Sequence, residues 1–305
     1  MNSTPLVSIL IPTHNRPDYF ELALKSAMTQ TYRNIEIVIS DNGDNDITRD
    51  RLAPYLNGQC KIKYSRSPGL DALQNGHNCY RLAEGEYINY LMDDDLFHPQ
   101  KIERMVPYLV SMSNVGVVTS VRQLIDANGA HLSAVPPFEK VFNTETLIAG
   151  RSLGVEMLTK SGSIIGEPTT ALFRRSCLSG MFGEYCNRQY ITLSDIASWL
   201  AILENYDCVY LPDTLSYFRI HTGQDQRQKS TQFRGAIENL NLLCDSYLNN
   251  KFLPKNPPTH NHIAFTLSNF ILKLTAIRDD LHLFGFQKNE ISDVINRATG
   301  VLLGL

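Results

Sequence analysis

The chain has 305 residues, of which 43% are apolar and 19% are charged, and its formal net charge at pH 7 is −3. This composition is typical of a globular protein, and the length suits one large domain or a domain with an appendage. A mildly acidic chain without a dense basic run gives no electrostatic reason to expect a nucleic-acid partner.

Cysteine usage and hydropathy narrow the class further. The six cysteines are scattered and form no CxxC pair, which favours a reduced cytoplasmic protein over a disulfide framework or a zinc site. We expect no signal peptide, because the apolar run at 6–11 is short and continues into Pro12. We also expect no transmembrane helix, since Lys273 and several polar residues interrupt 263–277, the stretch nearest to a membrane span.

The N-terminal part of the chain alternates strand patterns with helix patterns. Residues 6–11 (LVSILI) predict a buried strand, and the polar loop 12–16 (PTHNR) follows it. Apolar residues at i, i+3, i+4, i+7 and i+8 from Phe20 predict a helix. Residues 35–40 predict a second strand, which ends in the polar turn 41–44.

The next elements continue this alternation. Residues 61–65 predict a weaker third strand, 70–84 a helix, 87–92 a fourth strand and 116–121 a fifth. Strands that alternate with helices predict a doubly wound α/β fold with a largely parallel sheet. Because ligands bind beyond the carboxyl ends of such strands, we expect the polar loops there to converge on one crevice.

The fourth predicted strand ends in three consecutive carboxylates, Asp93, Asp94 and Asp95, and Pro99 suits the first turn of a following helix. Adjacent carboxylates repel one another unless a cation lies among them, and oxygen ligands favour Mg²⁺ or Mn²⁺. A solvated acidic turn is the alternative for a bare triplet, and the flanking strand and helix favour the metal site. The sequence contains neither GxGxxG nor a Walker A motif, so the usual glycine-rich phosphate-binding loops are missing.

The pattern changes after the fifth predicted strand. Residues 130–150 predict no regular element, and 171–173 form a short apolar run. Residues 194–203 predict a short helix, and 208–211 and 215–220 predict two strands. From about residue 230 the apolar periodicity predicts helices, the last two at 263–284 and 291–303.

Six segments, in this order, resemble the family 2 glycosyltransferases, the large nucleotide-sugar-dependent group with the GT-A fold. They are VSILIPTHNR, SDNGD, GEYINYLMDDDLFHP, GEPTTALFRR, SDIASWLAI and YFRIH, and they span about residues 5–225. The resemblance implies a Rossmann-like GT-A domain at 1–228 and a C-terminal helical extension at 229–305. It also implies an inverting, metal-dependent enzyme.

In that family the loops after the first two strands hold the nucleotide, and the acidic motif faces the ribose and the diphosphate. The resemblance therefore implies donor binding by Pro12, Thr13, Asn15, Arg16, Asp41, Asp93 and Asp94. Asp41 would accept a hydrogen bond from the base ring, and a turn-forming role beside Asn42-Gly43 is the alternative. Asp95 would ligate the Mn²⁺ or Mg²⁺ that bridges the diphosphate, and His221 would lie near that metal.

The family's catalytic base lies at the start of a helix that contains a tryptophan. The resemblance implies this role for Asp195, with Trp199 four residues later, although Ser194 replaces the usual Glu and Ala197 stands where a second acidic residue is common. The alternative is that Asp195 only stabilises the helix dipole in the first turn. The resemblance also implies that Glu167 and Trp199 lie near the acceptor and the donor sugar.

The implied reaction is inverting transfer of a sugar from a nucleotide-diphosphate donor, by default a UDP-sugar, to a hydroxyl of a glycan, lipid-linked or protein acceptor. A sugar-1-phosphate nucleotidyltransferase is the alternative enzyme, but the PTHNR loop lacks the glycines that it needs. A non-catalytic nucleotide-sugar-binding subunit is the other alternative, because Ser194 replaces the usual Glu. We expect the C-terminal helices to pack on the core, with homo-oligomerisation and peripheral docking at the inner face of a membrane as alternatives.

Overall fold

A computed structural model describes residues 4–56, 58, 60–135, 138–160, 163–224, 228–278, 281–286 and 288–305. Its helices and strands are, in chain order, β1 (Val7–Thr13), α1 (Pro17–Met28), β2 (Ile35–Asp41), α2 (Ile47–Leu52), β3 (Lys61–Arg66), α3 (Ala72–Leu82), β4 (Tyr87–Tyr90), β5 (Leu96–Phe97), α4 (Lys101–Ser111), β6 (Val115–Ile125), β7 (Thr146–Ile148), α5 (Gly150–Thr159), β8 (Leu172–Arg174), β9 (Glu184–Tyr185), β10 (Arg188–Gln189), α6 (Ser194–Leu203), β11 (Asp207–Arg219), α7 (Lys229–Leu248), α8 (Pro257–Ile277) and α9 (Lys288–Leu303).

The chain divides into two compact units. The first consists of Met1–Gly150, Gly162–Phe182 and Asn205–His221. The second consists of Arg151–Ser161, Gly183–Glu204 and Thr222–Leu305. The predicted domains, 1–228 and 229–305, stay a prediction. The two units have other boundaries, because the segments 151–161 and 183–204 belong with the C-terminal helices.

The first unit is built on one sheet of nine described strands, in the order β3-β2-β1-β4-β8-β6-β11-β5, with β7 paired to β11. β1 is parallel to β2 and β4, β2 is parallel to β3, and β6 is parallel to β11. The short β8 is antiparallel to both β4 and β6, so β6 and β11 run in the same direction as β4. Six of the nine strands therefore share one direction, and the predicted largely parallel α/β sheet is confirmed.

The hydrophobic pattern of β1 and α1 explains how the sheet is covered. All seven residues of β1 are buried, as expected for a central parallel strand with helices on both faces. Helix α1 packs its apolar stripe inward through Phe20, Ala23, Leu24 and Ala27. Full burial of a side chain such as Leu or Phe stabilises the folded state by about 1.5–3 kcal/mol, so this stripe is enough to fix the helix on the sheet.

The glycine of the GEY segment is required by a close approach between β1 and the turn that precedes β4. The backbone N–H of Gly85 donates to Ser8 Oγ at 2.8 Å. A Cβ atom at Gly85 would lie 2.5 Å from Ser8 Oγ and 2.6 Å from Ser8 N. No larger residue fits there without moving the strand, and the glycine is thus explained by packing.

Two elements near the end of the first unit differ from the prediction. The segments 208–211 and 215–220 were predicted as separate strands, but they form one strand, β11, of 13 residues. Pro212 and Asp213 interrupt the apolar pattern, yet the chain passes them through register shifts against β6 between Leu211 and Thr214 and between Thr214 and Ser216. The prediction also omitted β7, which lies within the segment 130–150 and pairs with β11.

The second unit contains a hairpin and the C-terminal helices. β9 and β10 pair antiparallel around Cys186 and Asn187, whose φ angles of 49° and 61° fit the two-residue turn typical of such hairpins. Helices α7, α8 and α9 follow, which confirms the predicted C-terminal helical region. No helix in the described ranges is long and apolar enough to cross a membrane.

The predicted bounds of the second C-terminal helix were wrong. The helix was predicted at 263–284, but α8 begins at Pro257 and ends at Ile277. Proline is accepted in the first turn of a helix, and the side chain of Asn256 caps this turn by accepting from Thr259 N at 3.0 Å. Pro257 and Pro258 lie in the first turn of α8, which therefore begins six residues earlier than the apolar pattern predicted.

Candidate functional site

Polar segments of the first unit meet at the carboxyl edge of its parallel strands. β1 ends at Thr13, β2 ends at Asp41, and the three carboxylates Asp93–Asp95 follow β4. β11 ends at Arg219, two residues before His221. This edge is where open α/β sheets bind ligands. The polar segments converge there as predicted, and the ligand-binding crevice stays a prediction.

Asp93 is almost fully buried and is surrounded by donors from the loop after β1. Its Oδ2 accepts from Thr13 Oγ1 at 2.9 Å and from His14 N at 3.3 Å, and its Oδ1 lies 3.2 Å from Arg16 Nη1. Burial raises the pKa of Asp93 to about 6, and the charge of Asp94 adds to the rise against the opposing effect of Arg16. The predicted donor-binding residues Thr13, Arg16 and Asp93 thus lie in contact with one another.

Asp94 lies between a guanidinium and an imidazole. Its Oδ2 is 3.1 Å from Arg16 Nη1 and 3.0 Å from His221 Nε2. The same Arg16 nitrogen therefore contacts both Asp93 and Asp94. The ring of Tyr19 lies 5.0 Å from the ring of His221, so this imidazole is held between an aromatic side chain and a carboxylate.

Asp95 is the most deeply buried of the three, at 1% exposure. Its Oδ2 accepts from Thr169 Oγ1 at 2.6 Å, and its Oδ1 accepts from Arg219 N at 3.0 Å. Burial raises the pKa of Asp95 well above its ordinary value, with further increases from the charges of Asp94 and Glu167. Glu167, another predicted site residue, is therefore close enough to Asp95 for its charge to affect this pKa.

Arg219 is a site residue that the sequence analysis missed. It is fully buried, its Nε donates to the Asp94 carbonyl at 2.7 Å, and its Nη1 donates to the Asp126 carbonyl at 3.1 Å. β5 pairs with β11 through Leu96–Tyr217 and brings the acidic turn beside this arginine. The only sequence signal was a charged residue inside a strand pattern, within the YFRIH segment already quoted for the resemblance.

Asp41 is fully buried at the end of β2. Its Oδ1 accepts from Gly43 N at 2.8 Å, which is the turn-forming contact considered as the alternative. Its Oδ2 accepts from Tyr64 OH at 2.8 Å, and burial followed by the bond to Asp41 raises the pKa of that phenol. The turn-forming role is present, and contact with a nucleotide base stays a prediction.

Side chains of the loop 12–16 tie it to the turn after β2, and Asn15 makes two of these contacts. Asn15 has a positive φ of 53°, a conformation that asparagine tolerates better than most residues. Its Nδ2 donates to Asp44 Oδ2 at 2.6 Å, and its Oδ1 accepts from Asp44 N at 2.9 Å. Pro12 lies within β1 opposite Ser40 of β2. The four predicted donor-binding residues of this loop thus lie at or directly after the end of β1, where Thr13 is paired with Asp41.

Glu167 is held by residues of the same unit. Its Oε2 lies 2.8 Å from Arg122 Nε and accepts from Thr170 Oγ1 at 3.3 Å. Gly166, immediately before it, has a φ of +84°, which only glycine adopts freely, so the turn that presents Glu167 depends on this glycine. The predicted contact of Glu167 with a sugar or an acceptor stays a prediction.

Lys101 was also missed, because it reads as a surface residue at a helix start. The structure buries it fully, and its Nζ donates to the Thr170 carbonyl at 2.7 Å and to Ser216 Oγ at 2.9 Å. Burial lowers the pKa of Lys101 well below its ordinary value. The lysine fixes the turn that also supplies Thr169 to Asp95.

Asp195 and Trp199 lie in the second unit. Asp195 is in the first turn of α6, is partly exposed, and accepts from Ile196 N through its Oδ1 at 2.8 Å. Trp199 is fully buried, which gives it a packing role on the inner face of α6. The catalytic role of Asp195 and the acceptor contact of Trp199 stay predictions.

The chemistry of the acidic cluster fits a divalent cation. Burial and the like charge of Asp94 raise the pKa of Asp95, because both disfavour its ionised carboxylate. A hard divalent cation bound to its oxygens would stabilise the ionised form. His221 lies against Asp94 and can serve as a nitrogen ligand when neutral. Within the described ranges, no three His, Cys, Asp or Glu side chains are already grouped to hold a metal ion.

Comparison with known sequences gives a family. The model of glycosyl transferase family 2 matches residues 8–179, more than half of the chain. An uncharacterized glycosyltransferase of Rickettsia typhi is 35% identical over 139 residues, which are 45% of this chain and 42% of that protein. One of Rickettsia felis is 28% identical over 246 residues, or 80% of this chain and 38% of that protein. The chain spans less than half the length of these two relatives.

Comparison with solved structures gives the fold. S. aureus TarS 1-349 in complex with UDP-GlcNAc has a TM-score of 0.61 and 14% identity, with 97% of this chain and 81% of that chain covered. The mannosyltransferase PcManGT from Pyrobaculum calidifontis, in complex with GDP-Man and Mn²⁺, has a TM-score of 0.58 and 16% identity, covering 99% and 88%. At these identities the likeness concerns the fold, and it confirms the predicted GT-A-like architecture.

Proposed function

The chain belongs to glycosyl transferase family 2, and from that premise we propose that it transfers a sugar from a nucleotide-diphosphate donor to an acceptor hydroxyl. The observation that carries the proposal is the buried cluster Asp93–Asp95 at the carboxyl edge of the sheet, contacted by Arg16, Thr169 and His221. Buried like charges at a ligand-binding edge are costly unless a ligand uses them.

The donor lies, in this proposal, along the wall formed by the loop 12–16, Asp41 and the acidic cluster. The loop 12–16 and Asp41 contact the base, Asp93 faces the ribose, and Asp95 lies at the diphosphate. A UDP-sugar is the first choice, since S. aureus TarS, a structural neighbour, is complexed with UDP-GlcNAc. A GDP-sugar is the second, because PcManGT is complexed with GDP-Man.

Asp95, with His221 nearby, would hold Mn²⁺ or Mg²⁺. Such a cation, when bound, supplies Lewis-acid stabilisation to the leaving diphosphate. The supporting observations are the buried oxygen donors of Asp95 and the Mn²⁺ in the PcManGT complex. Thr169 and the backbone N–H of Arg219 orient the Asp95 carboxylate for this task, because each of its oxygens accepts one of their hydrogen bonds.

Asp195 acts as the general base. Its carboxylate takes the proton of the acceptor hydroxyl while that oxygen bonds to the anomeric carbon and the bond to the diphosphate breaks. A single base with direct displacement inverts the anomeric configuration. A positioned base of this kind typically contributes about 10²–10⁴-fold in rate.

The family match favours glycosyl transfer over nucleotidyl transfer. A cytoplasmic location and a glycan, lipid-linked or protein acceptor belong to the same proposal. So does the use of the C-terminal helices for homo-oligomerisation or peripheral membrane docking.

Release of nucleoside diphosphate from a panel of sugar nucleotides tests the function. UDP-GlcNAc, UDP-glucose, GDP-mannose and a dTDP-sugar are each incubated with the protein and Mn²⁺, with water in place of the acceptor. We expect slow release from one member, loss of release in EDTA, and at least about tenfold weaker binding of its diphosphate by Asp95→Asn.

Asp213→Asn is the matched control, because Asp213 is a half-exposed carboxylate paired with Arg104 at 2.8 Å. It should behave as wild type. Equal diphosphate affinity in Mn²⁺ and in EDTA, with Asp95→Asn binding as tightly as wild type, would contradict the proposed donor site.

A further inference from the structure

The segment that leads into Asp195 is attached to helix α7, and we propose that α7 holds Asp195 in its working position, with Glu238 as the positioning residue. This inference rests on the proposed function, in which Asp195 is the base. All of the residues that carry it lie in the second unit.

Glu238 binds two backbone amides in the short segment that leads into α6. Its Oε1 accepts from Ile191 N at 3.0 Å, and its Oε2 accepts from Leu193 N at 2.8 Å. The side chain is 7% exposed, so water offers little competition for these bonds. Leu193 is the residue immediately before α6, and Asp195 follows two positions later. Both oxygens of one buried carboxylate therefore fix the chain directly before the proposed base.

The same face of α7 fixes the preceding hairpin. Asp245, one heptad after Glu238, accepts from Tyr190 OH through Oδ2 at 2.5 Å and from Arg188 Nε at 3.1 Å. Ser246 Oγ lies 2.8 Å from Tyr185 OH. Residues on both strands of the hairpin are thus hydrogen-bonded to α7. The position of the segment 184–193 therefore depends on the position of that helix.

The residue before the hairpin, Gly183, packs against α6 itself. Gly183 has a φ of +90°, and its N–H donates to Ser198 Oγ at 2.7 Å. A Cβ atom at Gly183 would lie 2.9 Å from the Cβ of Ser194. The start of the hairpin and the start of α6 are therefore packed together, and α7 sets the position of both.

The consequence is that a helix from the C-terminal region supports the proposed catalytic geometry. α7 lies beyond residue 179, where the family match ends. A misplacement of about 1 Å in a catalytic group is enough to lower a rate about 10²-fold. Loosening Glu238 should therefore reduce turnover without weakening the donor site, which is built from other residues.

Glu238→Gln tests the inference. Glutamine keeps the size and can accept one of the two N–H groups, but its own NH₂ then faces the other. We expect nucleoside diphosphate release, from the sugar nucleotide turned over fastest in the panel above, to fall at least about tenfold in kcat. The donor KM and the Kd for the free diphosphate should stay within about twofold of wild type. Amide hydrogen exchange in 184–197 should become faster.

Glu290→Gln is the matched control, because Glu290 pairs with Arg234 of α7 at 3.0 Å and makes none of the contacts with the segment described above. Glu290→Gln should leave kcat and the amide exchange in 184–197 unchanged. The double variant Glu238→Gln/Asp195→Asn should turn over no more slowly than Asp195→Asn alone, since Glu238 acts through Asp195.

Wild-type kcat and exchange in Glu238→Gln would overturn the inference, and so would an equal rate loss in the Asp195→Asn background. Failure of the proposed base is a separate result, because Asp195→Asn alone would then keep the wild-type rate. In that case faster exchange in 184–197 still supports the anchoring by Glu238, and unchanged exchange overturns it.

Discussion

Gly43 shows how closely the backbone approaches two predicted donor-binding side chains. A Cβ atom there would lie 2.8 Å from Asn15 Oδ1 and 3.0 Å from Asp41 Oδ1. The Gly43 N–H also donates to Asp41, so any displacement would disturb the carboxylate proposed to contact the base. The glycine therefore sets the distance between the loop 12–16 and β2.

Gly43→Ala is expected to weaken binding of the nucleoside diphosphate while the protein remains folded. Overpacked contacts are relieved by displacing the neighbouring side chains, here Asn15 and Asp41, and we expect this displacement to weaken binding at least about fivefold. Isothermal calorimetry with UDP and Mn²⁺ measures the change. Gly76→Ala is the control, because its Cβ would meet nothing nearer than Tyr90 Cε1 at 3.8 Å. Wild-type affinity in Gly43→Ala would show that this turn does not form the donor wall.

At the residue scale, the sequence revealed the acidic cluster but not its partners. Asp93–Asp95 are consecutive and follow a strand pattern, so their placement at a strand end could be predicted. Thr169 and Arg219, which orient Asp95, are 74 and 124 residues away along the chain. No local pattern marks such residues, because tertiary packing alone brings them to the carboxylate.

Glu36 connects several elements of the sheet. It lies in β2, accepts from Ser8 Oγ of β1 at 2.6 Å and from the backbone N–H of Glu84 at 2.6 Å, and pairs with Lys61 and Lys63 of β3. Burial opposes the charged form, but these donors outweigh it and lower the pKa of Glu36 to about 2. One buried carboxylate thus joins β1, β2, β3 and the turn before β4.

Glu36→Gln should lower the free energy of unfolding by about 3 kcal/mol at pH 7. The reason is that folding lowers the pKa of Glu36 from its ordinary value of about 4.3 to about 2. Because the folded-state pKa is the lower one, this stabilisation is complete well above pH 4.3 and is lost as the pH falls towards 2. Urea unfolding at several pH values measures the difference between variant and wild type, which should shrink below about pH 4.3.

Glu84→Gln is the control, since Glu84 pairs with the same two lysines through a side chain that is 60% exposed. It should change the unfolding curve little. A difference between Glu36→Gln and wild type that did not depend on pH would contradict the role of the carboxylate charge.

At the element scale, periodicity predicted the elements that are amphipathic or fully apolar. β1, α1, β2 and α3 were all found where the pattern placed them. β5 has two residues and exists through its pairing with β11, so it has no local signature. β11 was predicted as two strands because Pro212 lies inside it, and only the neighbouring strand shows that the element continues.

At the scale of the whole molecule, the division into units could not be predicted from motif order. The SDIASWLAI segment lies between GEPTTALFRR and YFRIH along the chain, yet it belongs to the second unit and the other two belong to the first. Charge and hydrogen-bond partners on α7 explain this, because Glu238 and Asp245 bind the chain before α6. These partners are more than 40 residues from the segment, beyond the reach of local patterns.

The central claim is that this chain transfers a sugar with Asp195 as the base, from a donor bound at the acidic cluster. Asp195→Asn keeps the size of the side chain and its capacity to hydrogen-bond, but it cannot take up a proton. Glu204→Gln is the control, because Glu204 follows α6 and pairs with Lys251 at 2.7 Å.

The deciding measurement is the rate of nucleoside diphosphate release by Asp195→Asn, compared with its affinity for the free diphosphate and its melting temperature. The account predicts a rate about 10²-fold or more below wild type, with affinity and melting temperature unchanged. A near-wild-type rate would contradict it and make Glu167 the next candidate for the base. A variant that fails to fold would show that Asp195 serves the start of α6 and not the reaction.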